Sequence, residues 1–417
     1  MGPLSGVVVV DFSRVLSGPY ATMILGDLGA DVTTVERPDG GDLTRSWGPP
    51  FVNSDSSYYL SINRNKRSVA LDLGNENDRA TARRLCEHAD VLVQNFRPGT
   101  MERWGLGYAQ LSSLNPGLVY CSISAFGSQG DASQLSGYDL LIQAASGLMS
   151  ITGQPGGRPT KVGVPIVDVL TGLNVVVGAL AALQERERSG IGQHVETNLL
   201  SCMLAGLVNQ ASSFVTAGVV PKAMGNEHPS IAPYELLQTR SSPLVVAVGS
   251  DRQFRSMCAV IGADAFISDA RFITNEARVS NRAELRRELE RVLATRDADE
   301  WVDSLSKAGV PCGRVNDIEE AFRLAEKLGM SSIVDLPNGE GGSARSVANP
   351  LRLSRTPVTY RTAPPQLGEH TEAVVRWLEE TQTKRAVGRE STGSQAASQP
   401  VSRHAAGLNA VDSRGAD

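Results

Sequence analysis

The sequence predicts an α/β protein: a large domain built on a parallel sheet, followed by a smaller α+β unit. Three observations carry this reading. Short, continuous runs of β-branched residues such as VVVVDF (7–12) and DVLVQNF (90–96) recur through the first 125 residues. Stretches of helical period separate them. A Gly/Pro-rich segment, AMGNEHPSIAPYE (223–235), then breaks the alternation. Strands that are apolar along their whole length are buried on both faces, as in a parallel sheet covered by helices.

In chain order, VVVVDF (7–12) is the first strand, and PYATMILGDLGA (19–30) is a helix opened by Pro19, because proline suits a first helical turn. DVTTVE (31–36) and SVALDL (68–73) are the second and third strands, and NDRATARRLCEHA (77–89) is a helix. DVLVQNF (90–96) is the fourth strand, and a short helix around 107–114 leads to the fifth, LVYCSIS (118–124). Two helices follow, DLLIQAASGLM (139–149) and DVLTGLNVVVGALAALQERERSG (168–190), the second opening at Asp168 and stopping at Gly190. HVETNLL (194–200) starts as a strand and runs into a helix to about 216. Beyond the boundary, LVVAVGS (244–250), a helix over 251–262, the charged amphipathic stretch 281–308 and an irregular strand in VPCGRVND (310–317) make the α+β unit. From about Lys384 the chain is poor in large apolar residues and rich in Ser, Gly and Ala, so a disordered tail is expected.

Composition narrows the functional classes. With 41% apolar and 20% charged residues among 417, the chain has the make-up of a globular protein with a large core. A net charge of −5 argues against nucleic-acid binding as the main role, yet leaves room for a local basic pocket. Cys86, Cys121, Cys202, Cys258 and Cys312 are scattered without CxxC spacing, and the five histidines are isolated, so neither a metal site nor a disulfide framework is expected. Reduced thiols point to the cytoplasm. MGPLSGVVVV lacks a basic n-region, so no signal peptide is expected. The longest purely apolar run, VVVGALAAL (175–183), is too short to span a bilayer, and no membrane association is expected.

Asp168 draws attention because VGVPIVDVLTGL (162–173) contains no other charge. A carboxylate in such a setting needs a cap or a partner. One reading makes it a helix N-cap; the other makes it a nucleophilic or basic carboxylate, kept ionised by the positive end of the helix dipole. The two are compatible. Arg14, Arg37, Arg45, Arg64, Lys66, Arg67, Arg97 and Arg103 cluster near strand ends, either as a solvated surface or as a site for a polyphosphate ligand. The turn DFSRVLSGPY has a single glycine, so no GxGxxG dinucleotide fingerprint is present. In GYD (137–139), Asp139 reads as the cap of its own helix and Tyr138 as a neighbour of the groove. His228 reads as a loop hydrogen-bonder.

Seven blocks taken together resemble the class III CoA-transferases, the carnitine/formyl-CoA transferase (CaiB/BaiF-type) family. They are DFSRVLSGPYATMILGDLGADVTTVERPDGGDLTR, NRNKRSVALDL, ADVLVQNFRPGTMERWGL, LSGYDLLIQAASGLMSITG, VDVLTGLNVVVGALAALQERERSGIGQHVE, GVPCGRVN and LGEHT. They fall in order within residues 4–378. The resemblance implies a Rossmann-like large domain built from 1–222 and a C-terminal return over 326–383, a small domain over 223–325, and a tail over 384–417. It further implies an interlocked homodimer that uses coenzyme A thioesters as substrates and no metal. The nucleophile is then Asp168, with Tyr138 and Asp139 beside the reaction centre. The CoA site is lined by Val15, Leu16, Ser17, Arg37, Leu71, Asn95, Phe96 and Arg103, with Arg37 and Arg103 on the phosphates or the adenine. Backbone N–H groups at the start of the 169–188 helix are expected to stabilise oxyanions. Formyl-CoA-using members carry a glutamine at the position of Leu16 and a glycine-rich loop that AMGNEHPS does not reproduce, which places another acyl group ahead, with a succinyl-CoA-like donor.

Two rival readings share much of this pattern. The α-methylacyl-CoA racemases share the fold but use a His–Asp pair, and the histidine falls at Tyr138, where a phenol of ordinary pKa about 10 is a poor proton shuttle. A non-catalytic CoA-binding protein would need Asp168 only as a cap.

Overall fold

The computed structural model describes residues 1–52, 54–337 and 343–381, and the predicted tail lies outside the described residues. Met1–Glu369 form one compact unit, and the helix over 371–381 belongs to a second. The first unit is organised by a six-stranded sheet of β1 (Val8–Asp11), β2 (Asp31–Glu36), β3 (Lys66–Ala70), β4 (Val91–Gln94), β5 (Val119–Ser124) and β6 (His194–Asn198). All neighbours pair in parallel, in the order 3-2-1-4-5-6. That order reverses between β1 and β4, and a crevice opens at such a point beyond the carboxyl ends of the strands.

Alternation along the strands explains the double burial. Val9, Val91, Val93, Val119 and Cys121 face a cluster shared with α1 (Ser17–Asp27), while the intervening Val10, Leu92 and Tyr120 are buried as well. α1 starts two residues before Pro19, which a first turn tolerates because the missing N–H has no helical partner there. The third strand begins earlier than its apolar run suggested. Lys66 opens it fully buried, with its ammonium 3.2 Å from buried Asp11 and donating to Pro19 O and Asn63 Oδ1 at 2.9 Å each. Burial holds this ammonium below its usual range, and Asp11 opposes that shift.

The helix holding Asp168, residues Ile166–Ser189, is long and apolar enough by length and composition to cross a membrane, more than the 175–183 run alone suggested. Its Val175, Val176, Ala179, Ala182 and Leu183 lie in the core cluster with α1 and the sheet. Gly172 permits the close approach: a Cβ there would stand 2.6 Å from the Ser17 carbonyl oxygen. Residues 343–362 return to the sheet edge. Arg361 donates to the carbonyls of Gly29 and Ala30 at 3.0 and 2.7 Å, and Asn349 to Asp27, which also receives a bidentate pair from buried Arg64.

Between these parts, β7 (Tyr234–Leu237), β8 (Leu244–Ala247) and β9 (Cys312–Arg314) form an antiparallel sheet in the order 9-8-7. It has an apolar cluster of its own, including Phe254, Met257, Phe272, Leu289 and Trp301.

Candidate active site

The crevice is shaped by the turn that follows β1. Asn95, just past β4, accepts the Arg14 N–H at 2.8 Å and donates to the Arg14 carbonyl at 2.7 Å. Asp42 accepts the Val15 N–H at 2.9 Å. Held from both sides, Val15 adopts φ +70°, a strained conformation for a β-branched residue that persists only where its surroundings impose it. The turn delivers Leu16 and Ser17 to the start of α1, against the helix of Asp168.

That helix, α3 (Ile166–Ser189), follows α2 (Asp139–Ala145) in the chain. It opens two residues before Asp168, with Pro165 at the cap position and no side-chain cap of its own. The N-cap reading of Asp168 is therefore replaced: Asp168 is the third residue of the first turn. Asp139 does the capping from across the groove, accepting the N–H of Val167 at 2.8 Å and of Asp168 at 3.3 Å. It is not the cap of its own helix, where Tyr138 holds that position. Its second oxygen accepts from Gln143 at 2.6 Å, and Gln143 accepts the Val162 N–H at 2.8 Å. The other early N–H groups of α3 are also engaged, Ile166 with Val164 O and Val169 with Pro165 O. This helix start is thus not the expected source of oxyanion donors.

Asp168 is 8% exposed. Burial raises its pKa to about 7, the Asp139 charge adds to the rise, and the neighbouring Ser17 hydroxyl opposes it. Desolvation is the largest influence, and it works against the ionised carboxylate that was expected here.

Three adjoining cavities form the groove, and this carboxylate lines two of them. The first, about 440 Å³, lies at the strand ends among Arg14, Arg37, Leu71, Phe96, Arg97 and Trp104. The second, about 290 Å³, shares Arg14, Phe96 and Arg97 with it and adds Val15, Leu16, Ser17, Asn95, Tyr138 and Asp168. The third, about 570 Å³, shares Val15, Tyr138 and Asp168 with the second and is further lined by Trp47, Tyr58, Asp139, Lys161 and Pro165. The Arg14 guanidinium stacks 4.3 Å above the Phe96 ring centroid, where the first two cavities meet. Tyr58 sets its ring edge-to-face against Trp47, and burial, with Asp168 and Asp139 next in effect, pushes its phenol up to about 12.

The predicted site residues are thus distributed along one groove, with Arg103 outside it: Arg103 is exposed and donates to Thr100 Oγ1 at 3.0 Å, one turn from the first cavity. The basic cluster divides in two. Arg45, Arg64, Lys66 and Arg67 are committed to Glu36, Asp27, Asp11 and Asp31. Arg14, Arg37 and Arg97 line the first cavity and are in no ion pair among the described residues. Sequence reasoning missed Trp47, Tyr58 and Lys161. The signal for the first two was the run of four aromatics in the segment WGPPFVNSDSSYY (47–59).

Comparison with known proteins gives this groove a context. The sequence profile described as CoA-transferase family III matches residues 4–371. The chain is 41% identical over 383 residues to a succinate–glutarate CoA-transferase of Agrobacterium fabrum, covering 90% of this chain and 96% of that one. It is 38% identical over 354 residues to an acetyl-CoA:oxalate CoA-transferase of Acetobacter aceti, covering 85% and 90%. A crystal structure of a CaiB/BaiF family protein from Brucella suis superposes with a TM-score of 0.80 at 39% identity, covering 90% of this chain and 99% of that one. The chain belongs to CoA-transferase family III and is a class III CoA-transferase.

Proposed function

We propose that the chain moves CoA between short dicarboxylic acids, with Asp168 as a covalent nucleophile. The observation that carries this is the place of Asp168, a poorly hydrated carboxylate lining both the second and the third cavity. CoA approaches from the strand-end side, where Arg14, Arg37 and Arg97 suit its phosphates, and the acyl group occupies the side of Trp47 and Tyr58. The Asp168 carboxylate attacks the thioester carbonyl and expels CoA thiolate, leaving a mixed anhydride. The thiolate attacks the aspartyl carbonyl, releasing the donor acid and forming an aspartyl-CoA thioester. The acceptor carboxylate attacks that thioester, giving a second anhydride and thiolate, and the thiolate attacks the acceptor's carbonyl to free Asp168. Ser17, beside the carboxylate in the second cavity, favours its ionised form, and Asp139 positions it by capping α3. The names of the two relatives, which carry glutarate, succinate and oxalate, support a dicarboxylic substrate and a succinyl-CoA-like donor.

We also propose a homodimer, with 223–325 as the smaller domain and 326–369, the part of the expected 326–383 return that lies in the first unit, as part of the large one. The antiparallel sheet and separate cluster of the middle segment support the division, as do the bonds of Arg361 to Gly29 and Ala30. The helix Val208–Ala217 supports the dimer, because none of its residues is buried and Val208, Phe214 and Val215 are exposed.

The test is an Asp168→Ala variant assayed for CoA exchange between succinyl-CoA and glutarate, beside deuterium exchange at the α-carbon of a 2-methylacyl-CoA. Loss of exchange in the variant and no deuterium incorporation by the wild type are expected. Wild-type exchange rates in the variant would overturn the nucleophile, and deuterium incorporation would overturn the transferase reading in favour of an isomerase.

A further inference from the structure

The third cavity is chemically lopsided. Its walls are apolar or aromatic at Val15, Trp47, Tyr58 and Pro165, its inner end carries the carboxylates of Asp168 and Asp139, and Lys161 is the cation among the described residues lining it. The Lys161 ammonium is exposed and has no ion-pair partner among the described residues. It donates to two carbonyls of its own loop, Val162 O at 3.2 Å and Gly163 O at 3.4 Å. The loop is held in place, because the Val162 N–H is bound by Gln143, which is itself bound to Asp139. The base of the Lys161 side chain is therefore tied to the residue that caps the helix of Asp168.

An acid whose only carboxyl reacts at Asp168 has no use for such a cation. A dicarboxylic acid brings a second negative charge into a space with apolar walls and two carboxylates, and that charge is unfavourable there without a partner. An ammonium with donor capacity to spare, at the rim of the same cavity, answers that need.

We propose that Lys161 binds the distal carboxylate of a dicarboxylic acyl group while the proximal carboxyl reacts at Asp168. Lys161 thereby sets the preference for dicarboxylic over monocarboxylic acids. This rests on the reading of the chain as a dicarboxylate CoA-transferase and names the residue that makes it one.

The experiment compares glutarate with pentanoate, five-carbon acids differing by one terminal carboxylate, as acceptors from a single saturating acyl-CoA donor. Wild type, Lys161→Met and Lys161→Arg are assayed, with CoA affinity by calorimetry reporting that each is folded. Wild type is expected to prefer glutarate. In Lys161→Met the ratio of kcat/KM for glutarate to that for pentanoate falls on the order of tenfold, mainly through the KM for glutarate, and Lys161→Arg restores most of it. A wild type that prefers glutarate and a Lys161→Met ratio unchanged would overturn the role of Lys161 alone. A wild type that accepts pentanoate as readily as glutarate would overturn the dicarboxylate reading and this inference with it.

Discussion

At the scale of single residues, the chemistry turns on the proton of Asp168. Its pKa of about 7 lies above that of a free aspartate, so the folded protein holds this proton more tightly than the unfolded chain does. The rate of the acyl-CoA half-reaction should therefore rise with pH through about 7 and then level off. Asp139→Asn removes the second cause of the shift, and the acid limb of a pH–rate profile should move to lower pH. The same shift carries a stability cost. The contribution of a protonated Asp168 is intact below the unfolded pKa and is lost as pH rises through about 7. Asp168→Asn should accordingly stabilise the fold, by an amount that grows from about pH 4, levels off above about pH 7 and reaches roughly 3–4 kcal/mol in denaturant titrations. A variant that is inactive yet more stable is the signature of a site kept unfavourable for function. On the CoA side, Arg37→Ala should raise the KM for acyl-CoA on the order of tenfold, since a charge-assisted contact is lost.

At the scale of elements, the distance between Ser17 and Asp168 depends on how closely α1 and α3 pack. Gly172→Ala places a methyl 2.6 Å from the Ser17 carbonyl oxygen, so the helices must separate. A loss of about 1–3 kcal/mol is expected, read as a lower Tm, with activity falling as Asp168 leaves Ser17. Lys66→Ala should cost more, about 3–5 kcal/mol, because it strands buried Asp11 without its cation. These elements also show what the sequence can reveal. Five strands were legible as β-branched runs, since burial on both faces leaves nothing else to encode. Lys66 hid the start of β3, because a charged residue reads as surface until its buried partner is known. The start of α3 was misplaced at Asp168 for a related reason. Aspartate is a favoured local cap, whereas the real cap, Asp139, lies 29 residues earlier in the chain and reaches α3 only through the fold.

At the scale of the whole molecule, local pattern says less. The motif blocks carried the family, and with it the groove, but no local signal showed that Arg361 would close onto the carbonyls of Gly29 and Ala30. Trp47, Tyr58 and Lys161 were nearly as silent, because a cavity wall assembled from segments far apart in the chain has no period. The surface holds a further consequence. Val177 on α3 is 65% exposed, and Val208 and Val215 on the helix Val208–Ala217 are 70% and 77% exposed. Light scattering coupled to gel filtration should give twice the chain mass, and Val177→Arg with Phe214→Arg should shift the protein toward the monomer. A wild type at the monomer mass at micromolar concentration would remove the dimer from the account.

The central claim is that Asp168 becomes acylated during turnover. Incubation with succinyl-CoA and hydroxylamine, followed by intact mass and peptide mapping, tests it directly. A hydroxamate on Asp168 that requires the acyl-CoA is the predicted result. An enzyme that loses no activity under trapping and carries an unmodified Asp168 would contradict it.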